Sequence, residues 1–141
     1  MFNDFMSVAI EIAQKAIEKL EMPIGAVIVH NNKIIAEAHN ANSNNPLAHA
    51  EIIAIEKALQ ALQKRNLSDC DIYVTLEPCP MCYYAISLVK MRGIYFGTSA
   101  KTNNTTITHN HTPMIYSDIS ATKCAKLLTN FFQQKRGNND S

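Results

Sequence analysis

The sequence predicts an α/β protein, a fold class that three observations support. Apolar residues recur at three- and four-residue intervals near both ends of the chain, a spacing typical of amphipathic helices. A segment rich in β-branched residues, 24–30, is followed by a short polar pair and a returning strand at 33–39, a pattern that indicates a β-hairpin. Residues 71–97 have the pattern strand, helix, strand, which indicates a parallel crossover unit.

Capping, turn and helix-breaking residues indicate where each element begins and ends along the chain. The first helix covers residues 3–20, with Asn3 or Asp4 as its N-cap, and Pro23 prevents its continuation. Asn31-Asn32 supplies the left-handed conformations that a tight turn between the hairpin strands needs. The later elements are a loop at 40–46, a helix beginning near His49, a strand at 71–76, a helix from Pro78 to Met91, a strand at 94–97, an irregular stretch at 98–113, a strand at 114–119 and a final helix at 121–134.

Length and composition indicate a single domain. The chain has 141 residues, of which 47% are hydrophobic and 18% are charged, as in ordinary globular proteins. We expect one domain over residues 1–136, followed by a disordered tail at 137–141. The formal net charge is only +1, so an RNA partner would have to be bound by a local patch rather than by the charge of the whole chain.

The sequence lacks membrane and export signals. No apolar stretch approaches the roughly 20 residues that a membrane span requires, and the N-terminus lacks the basic start of a secretory signal. We therefore expect a cytoplasmic protein without membrane contact. Its four cysteines should then be reduced and available for metal binding or catalysis.

Two short motifs carry the reactive side chains, His49-Ala50-Glu51 and Pro78-Cys79-Pro80-Met81-Cys82, and each lies at the predicted start of a helix. Cysteines three residues apart in a first helical turn point the same way. The partial positive charge of a helix N-terminus favours their thiolates, the form that binds metal. Cys79 and Cys82 therefore make a ligand pair.

The spacing of these motifs favours a catalytic zinc site over a structural one. A structural site needs four protein ligands, and the chain offers no second pair at short spacing. With His49 the cysteine pair supplies three ligands and leaves one position for water, whose pKa zinc lowers to about 7. Glu51 can approach that water and carry its proton, which is sufficient for hydrolytic deamination without another cofactor.

Other interpretations of the motifs remain open at this point. A CxxC alone also fits a thioredoxin-like redox pair or half of a zinc knuckle, and a His-x-Glu alone occurs by chance in many helices. A catalytically silent zinc domain that serves as a partner subunit is a further alternative, although it would have no need of Glu51. The two motifs together, in this order, form the known zinc-deaminase signature.

On these motifs the sequence resembles the cytidine and deoxycytidylate deaminase superfamily, and within it the bacterial tRNA-specific adenosine deaminases. Several further blocks in the same order carry the resemblance over most of the chain. The blocks are Pro23-Ile24-Gly25-Ala26-Val27, His39-Asn40, Pro46-Leu47-Ala48-His49-Ala50-Glu51, Tyr73-Val74-Thr75-Leu76-Glu77-Pro78-Cys79 with Met81-Cys82, Phe96-Gly97 and Phe131-Phe132.

The resemblance implies a three-layer α/β/α cytidine-deaminase-like fold with a five-stranded mixed sheet, one Zn²⁺ per subunit and a homodimer. It implies that His49, Cys79 and Cys82 are the zinc ligands and that Glu51 is the proton shuttle. The implied reaction converts the wobble adenosine in the anticodon loop of arginine tRNA, with the anticodon ACG, to inosine.

The resemblance also implies three substrate-binding residues. Asn40 would hydrogen-bond the flipped nucleotide, Ile24 would pack near the base, and the backbone of Ala50 would help to hold the base edge. From the residues alone, Asn40 fits a turn position in an Asn-rich loop equally well.

The alternative function is deamination of a free base or nucleoside such as guanine or cytosine. The near-neutral net charge supports it, as does the polar stretch 98–113, which departs from the pattern of the tRNA enzymes. A second departure is Tyr83-Tyr84, which is bulky just after the second cysteine and would alter the pocket floor or the dimer contact. Phe131-Phe132 in the final helix favours the tRNA enzymes.

Overall fold

The computed structural model describes residues 4–100 and 111–139. Within these ranges the chain forms four helices and five strands. In chain order they are α1 (Phe5–Glu18), β1 (Gly25–His30), β2 (Lys33–His39), α2 (Ala50–Leu62), β3 (Cys70–Leu76), α3 (Pro80–Leu88), β4 (Gly93–Thr98), β5 (Met114–Tyr116) and α4 (Ala121–Asn139).

The five strands form one mixed sheet in the order β2-β1-β3-β4-β5. The strand β1 runs antiparallel to both β2 and β3, whereas β3, β4 and β5 are parallel to one another. Asn31 and Asn32 both have positive φ, 50° and 62°, as the predicted tight turn between β1 and β2 requires. The predicted hairpin and the parallel crossover from β3 through α3 to β4 are therefore confirmed.

Helices cover both faces of the sheet. The helices α1 and α4 contact each other on one face, and α2 and α3 contact each other on the opposite face. Successive side chains of a strand point to opposite faces of the sheet. In β1, Ile28 packs in the core under α2 and Val27 packs in the core under α1. This arrangement confirms the three-layer α/β/α architecture and the five-stranded mixed sheet.

Two predicted helix limits need correction. The helix expected from Pro78 begins at Pro80, because Cys79 has an extended backbone as N-cap and Pro80 takes the first helical position. It ends at Leu88 rather than Met91, because Lys90 adopts a left-handed conformation and the Met91 N–H returns to the Ile86 carbonyl at 3.1 Å.

The last helix is also longer than predicted. It continues from the expected end at residue 134 to Asn139, so it includes residues 137–139 of the segment assigned to a disordered tail. Hydrophobic periodicity could not reveal this extension, because no apolar residue follows Phe132. The division into one domain at 1–136 and a tail stays a prediction. None of the described helices is long and apolar enough to cross a membrane.

The strand directions bring the ends of several strands to one edge of the sheet. Because β1 is antiparallel to its neighbours, its first residue lies at the same edge as the last residues of β2, β3 and β4. Ile24 precedes β1, Asn40 follows β2, and Glu77 follows β3 at this edge. The chemistry-bearing motifs meet there.

Candidate active site

Two helices begin beside this edge, and each begins with a candidate ligand. His49 is the N-cap of α2 and Cys79 is the N-cap of α3, and both have extended backbone angles. Neither side chain caps its own helix, so both are available to bind a metal. Cys82 lies in the first turn of α3, where its side chain is fully buried.

The three predicted ligands converge on one point. The Nδ1 atom of His49 lies 3.6 Å from Cys79 Sγ and 3.5 Å from Cys82 Sγ. With Zn–N near 2.0 Å and Zn–S near 2.3 Å, a tetrahedral zinc ion separates such atoms by about 3.5 Å. Among the described residues this is the one group of three or more potential ligands with this proximity. The donor set and its spacing therefore fit a single Zn²⁺.

The surroundings of the cysteine pair favour a charged sulfur. A hydrogen bond from the Cys82 thiol lowers the pKa of Cys79 to about 5, and the same hydrogen bond, together with burial, raises the pKa of Cys82. The N-terminus of α3 lies at the same position and also favours negative charge. A thiolate is the form of cysteine that binds zinc, so the local electrostatics agree with the geometry at Cys79.

Glu51 occupies the first turn of α2, beside the ligands but outside the ligand group. Its side chain is only 4% exposed, and this burial raises its pKa to about 7. A carboxyl group with a pKa near neutrality can both accept and deliver a proton, as a general acid and base must.

A pocket of about 330 Å³ opens at the ligand group. His49, Glu51 and Cys79 line it together with the predicted substrate-binding residues Asn40 and Ile24. Ala50 is fully buried behind this wall and is not among the lining residues. The structure therefore brings two of the three predicted ligands, the predicted proton shuttle and two of the three predicted substrate residues to one cavity, and the third predicted ligand, Cys82, is buried next to His49 and Cys79.

Asn40 is fixed by two hydrogen bonds of its side chain. Its Oδ1 accepts from the Ala50 backbone N–H at 3.2 Å, and its Nδ2 donates to Asn42 Oδ1 at 3.1 Å. The side chain is only 2% exposed. Asn40 is thus more than a turn residue, because it ties the loop after β2 to the start of the helix that carries Glu51.

Several lining residues were not assigned a role from the sequence. They include Met22, Leu76, Glu77 and Ala100. For Glu77 the sequence does give a signal, because it directly precedes Pro78-Cys79 in one of the blocks that carry the family resemblance. Ala100 follows the end of β4, and no local pattern indicates that it reaches the pocket.

The remaining cysteines and histidines lie elsewhere. Cys70 and Cys124 are buried in the two cores, and burial raises the pKa of each thiol to about 11. His111 shares a hydrogen bond of 2.7 Å with the Met91 carbonyl, for which its Nε2 must be the donor. His109 lies outside the described residues, as do residues 101–110 of the stretch that departs from the tRNA-enzyme pattern.

A groove continues from the pocket along α4. Its volume is about 640 Å³, and it shares Met22, Leu76 and Ala100 with the pocket. On the far side it is lined by hydroxyl, amide and apolar groups. These are Thr98, Ser99, Ala125, Leu128, Thr129, Phe132 and Gln133.

Comparison with known proteins agrees with this geometry. The family model of the cytidine and deoxycytidylate deaminase zinc-binding region matches residues 2–98. A tRNA-specific adenosine deaminase of Rickettsia typhi is 41% identical, over 96% of this chain and 100% of that protein. A solved structure from studies of A-to-I editing by tRNA:A34 deaminases is 37% identical, with a TM-score of 0.84 over 88% of this chain and 98% of that chain. The guanine deaminase of Bacillus subtilis is 37% identical, with a TM-score of 0.67 over 70% of this chain and 66% of that chain.

The site combines three potential zinc ligands, which leave a position for water, with a buried carboxyl group. This combination is typical of zinc-dependent hydrolytic deaminases. The family match extends over both motifs and more than half of the chain. The chain belongs to the cytidine and deoxycytidylate deaminase family, and it uses one zinc ion per subunit.

Proposed function

We propose that this deaminase converts adenosine to inosine at the wobble position of a tRNA anticodon loop. We further propose that its substrate is arginine tRNA with the anticodon ACG and that it acts in the cytoplasm. The relatives named as tRNA-specific adenosine deaminases support the substrate class. An anticodon loop suits such a site, because its bases are unpaired and can enter a pocket at low cost.

The observation that carries the proposal is the groove beside the pocket. A free base would fill the pocket of about 330 Å³ and leave the larger groove, about 640 Å³, empty. A nucleotide within a strand has neighbours that must lie somewhere, and a groove that shares three residues with the pocket can receive them. The geometry therefore favours a polymeric substrate over guanine or cytosine.

The lining of the groove fits bases better than phosphates. The side chain of Phe132 is 39% exposed there and offers a ring on which a base can stack. Thr129 and Gln133 offer hydrogen-bonding groups, and no lysine or arginine lines the groove among the described residues. Binding through bases is consistent with a formal net charge of only +1.

The reaction assigns a task to each site residue. His49, Cys79 and Cys82 would hold the zinc ion, which when bound would lower the pKa of water so that hydroxide is available near neutral pH. Glu51 would take one proton from the attacking water and pass it to the ring nitrogen, and then take the second proton, from the hydroxyl group added to the ring carbon, and pass it to the departing amino group. A carbon–oxygen bond forms, the exocyclic carbon–nitrogen bond breaks, and ammonia leaves.

The three substrate-binding assignments remain part of the proposal. Ile24 lines the pocket with an apolar side chain against which a base can pack. Asn40 lines the same pocket and can use its remaining amide hydrogen toward the nucleotide. Ala50 gives its backbone N–H to Asn40, so in this arrangement we assign it a supporting role through Asn40.

We also propose that the chain acts as a homodimer. The outer side of α3 exposes Pro80, Tyr84 and Leu88, which are spaced four residues apart and form one stripe. The exposed fractions are 51% for Tyr84 and 70% for Leu88. Because Pro80 also lines the pocket, a second copy seated on this stripe would lie beside the active site. Sedimentation of wild type and Leu88→Lys tests this, since a dimer should dissociate in the variant.

The substrate can be tested with purified zinc-loaded protein. Unmodified arginine tRNA with the anticodon ACG is incubated in parallel with a GCG variant, free adenosine, guanine, cytosine and cytidine. Inosine in the ACG tRNA and no turnover of the GCG tRNA are the expected results. Turnover of guanine or cytosine without inosine formation in tRNA would reject the proposal in favour of the alternative function.

The groove itself can be tested with two neighbouring residues of α4. Phe132 lines the groove that continues from the pocket, whereas Phe131 lines a different groove with Ile17 and Leu20. Phe132→Ala should lower kcat/KM for tRNA by roughly tenfold, because a stacked base contributes about 1–3 kcal/mol. Phe131→Ala is the matched control. An equal loss in both variants would show that the effect comes from the packing of α4.

A further inference from the structure

We propose that Glu77 is a positioning residue that holds the wall at Ala100, which the active-site pocket shares with the groove. This inference rests on the proposed function, because it concerns how a strand of RNA is held next to the pocket. It adds a residue to the machinery of the site that neither motif contains.

The geometry begins at the ends of two parallel strands. Leu76 pairs with Thr98 at the end of the β3–β4 ladder. One residue further on, the Glu77 backbone N–H donates to the Thr98 carbonyl at 2.9 Å. Beyond Thr98 the chain leaves β4, so Ala100 depends on other contacts for its position.

The side chain of Glu77 supplies such a contact. Its Oε1 accepts a hydrogen bond from the Ala100 backbone N–H at 3.0 Å. A backbone amide that loses its hydrogen-bond acceptor loses the contact that fixes its position, because few other groups can replace that acceptor. Backbone and side chain of Glu77 thus hold the chain at two points, Thr98 and Ala100.

The contact with Glu77 matters because Ala100 belongs to the lining of two neighbouring cavities. Ala100 lines both the pocket and the groove, and it lies at the boundary between them. Glu77 is two residues before the predicted ligand Cys79 in the chain, so its backbone lies close to the predicted metal site. Glu77 therefore links the metal site to the segment that faces the neighbouring nucleotides of the substrate.

This role requires a hydrogen-bond acceptor rather than a negative charge. Glu77→Ala removes the acceptor, and the segment at Ala100 then loses its tether. Glu77→Gln keeps an amide oxygen at nearly the same position and should rescue the tether. As a matched control, Asn66 accepts from the Ser68 backbone N–H at 3.2 Å in an exposed loop away from the site, so Asn66→Ala removes a comparable tether.

The experiment measures tRNA turnover and the hydrogen exchange of the Ala100 amide by NMR in the zinc-loaded protein. In Glu77→Ala we expect KM for tRNA to rise about tenfold, the effect of losing one hydrogen bond, while kcat changes far less. Exchange at Ala100 should accelerate by a similar factor. Zinc content should stay at one per chain, and Glu77→Gln and Asn66→Ala should match the wild type.

Two results would overturn the proposal. Unchanged KM and unchanged Ala100 exchange in Glu77→Ala would show that the side chain does not hold this wall. Equal impairment of Glu77→Gln and Glu77→Ala would show that charge, not the acceptor, matters. If the wild type does not act on tRNA, the proposed function fails, and Ala100 exchange alone decides whether Glu77 holds the wall.

Discussion

The amide oxygen of Asn40 accepts a hydrogen bond from the backbone N–H of Ala50 at 3.2 Å. Ala50 stands between His49 and Glu51 in the chain and begins α2. The N–H groups in the first turn of a helix have no partner within the helix, so an acceptor from elsewhere satisfies one of them. The residue that follows β2 therefore fixes the start of the helix that carries a predicted ligand and the proposed proton shuttle.

Asn40→Ala should weaken both the fold and the reaction. The substitution leaves the N–H of Ala50 buried without its acceptor, a change that costs about 1–3 kcal/mol in the free energy of unfolding. Urea denaturation measures this loss, and kcat should fall because Glu51 is less well held. Asn42→Ala is the control, since it removes the partner of Asn40 Nδ2 but leaves the bond to Ala50 in place. Equal losses in the two variants would contradict this account.

Glu51→Gln should abolish turnover and keep the metal. The amide has nearly the shape of the carboxyl group but cannot shuttle a proton, so kcat should fall by about 10²–10⁴. Zinc content, measured by atomic absorption, should remain at one per chain because Glu51 is outside the ligand group. The exposed Glu56→Gln, on the same helix, is the control. A Glu51→Gln enzyme with full activity would mean that another group moves the proton.

Loss of a ligand should remove the metal and lower the melting temperature together. Metal binding contributes to folding in sites of this kind, so Cys79→Ser should lose stoichiometric zinc and unfold at a lower temperature. Chelation of wild type should reproduce this shift, and added zinc should reverse it. Cys124→Ser, in the α1-side core, should keep one zinc per chain even if it destabilises the fold. Retention of zinc by Cys79→Ser would contradict the ligand assignment.

The features that the sequence predicts correctly are those with a local cause. Asn31-Asn32 defines a hairpin turn because of its own backbone preference, and the spacing of Cys79 and Cys82 places both at one helix start, where they could bind a metal together. The convergence of His49 on that pair could be expected from the known signature but not from periodicity.

The features that escape prediction depend on contacts between distant residues. The Gly25 N–H donates to Thr75 Oγ1, 50 residues away, and Glu77 holds Ala100 across 23 residues. Such bonds are set by the order and direction of strands in the folded sheet. Nothing in the segments themselves specifies them, so the walls of the pocket emerge only with the tertiary structure.

The helix α1 approaches the sheet closely at Gly25, the first residue of β1. A Cβ atom added there would lie 2.1 Å from the Ala9 carbonyl oxygen and 2.7 Å from the Ala13 nitrogen, both backbone atoms of α1. Gly25→Ala must push the helix away from β1, and we expect a loss of about 3 kcal/mol or more in the free energy of unfolding. Because Ile24 lines the pocket next to this contact, kcat/KM should fall as well.

Gly93→Ala is the matched control for this prediction. Its added Cβ would first meet Asp71 Oδ1, at 2.9 Å, which belongs to a side chain that can move. The main effect is disturbance of the ion pair between Asp71 and the exposed Arg92, which contributes at most about 1 kcal/mol to the free energy of unfolding. Urea denaturation of both variants compares the two glycines directly. If Gly93→Ala is as destabilising as Gly25→Ala, the loss at Gly25 cannot be attributed to its contact with α1.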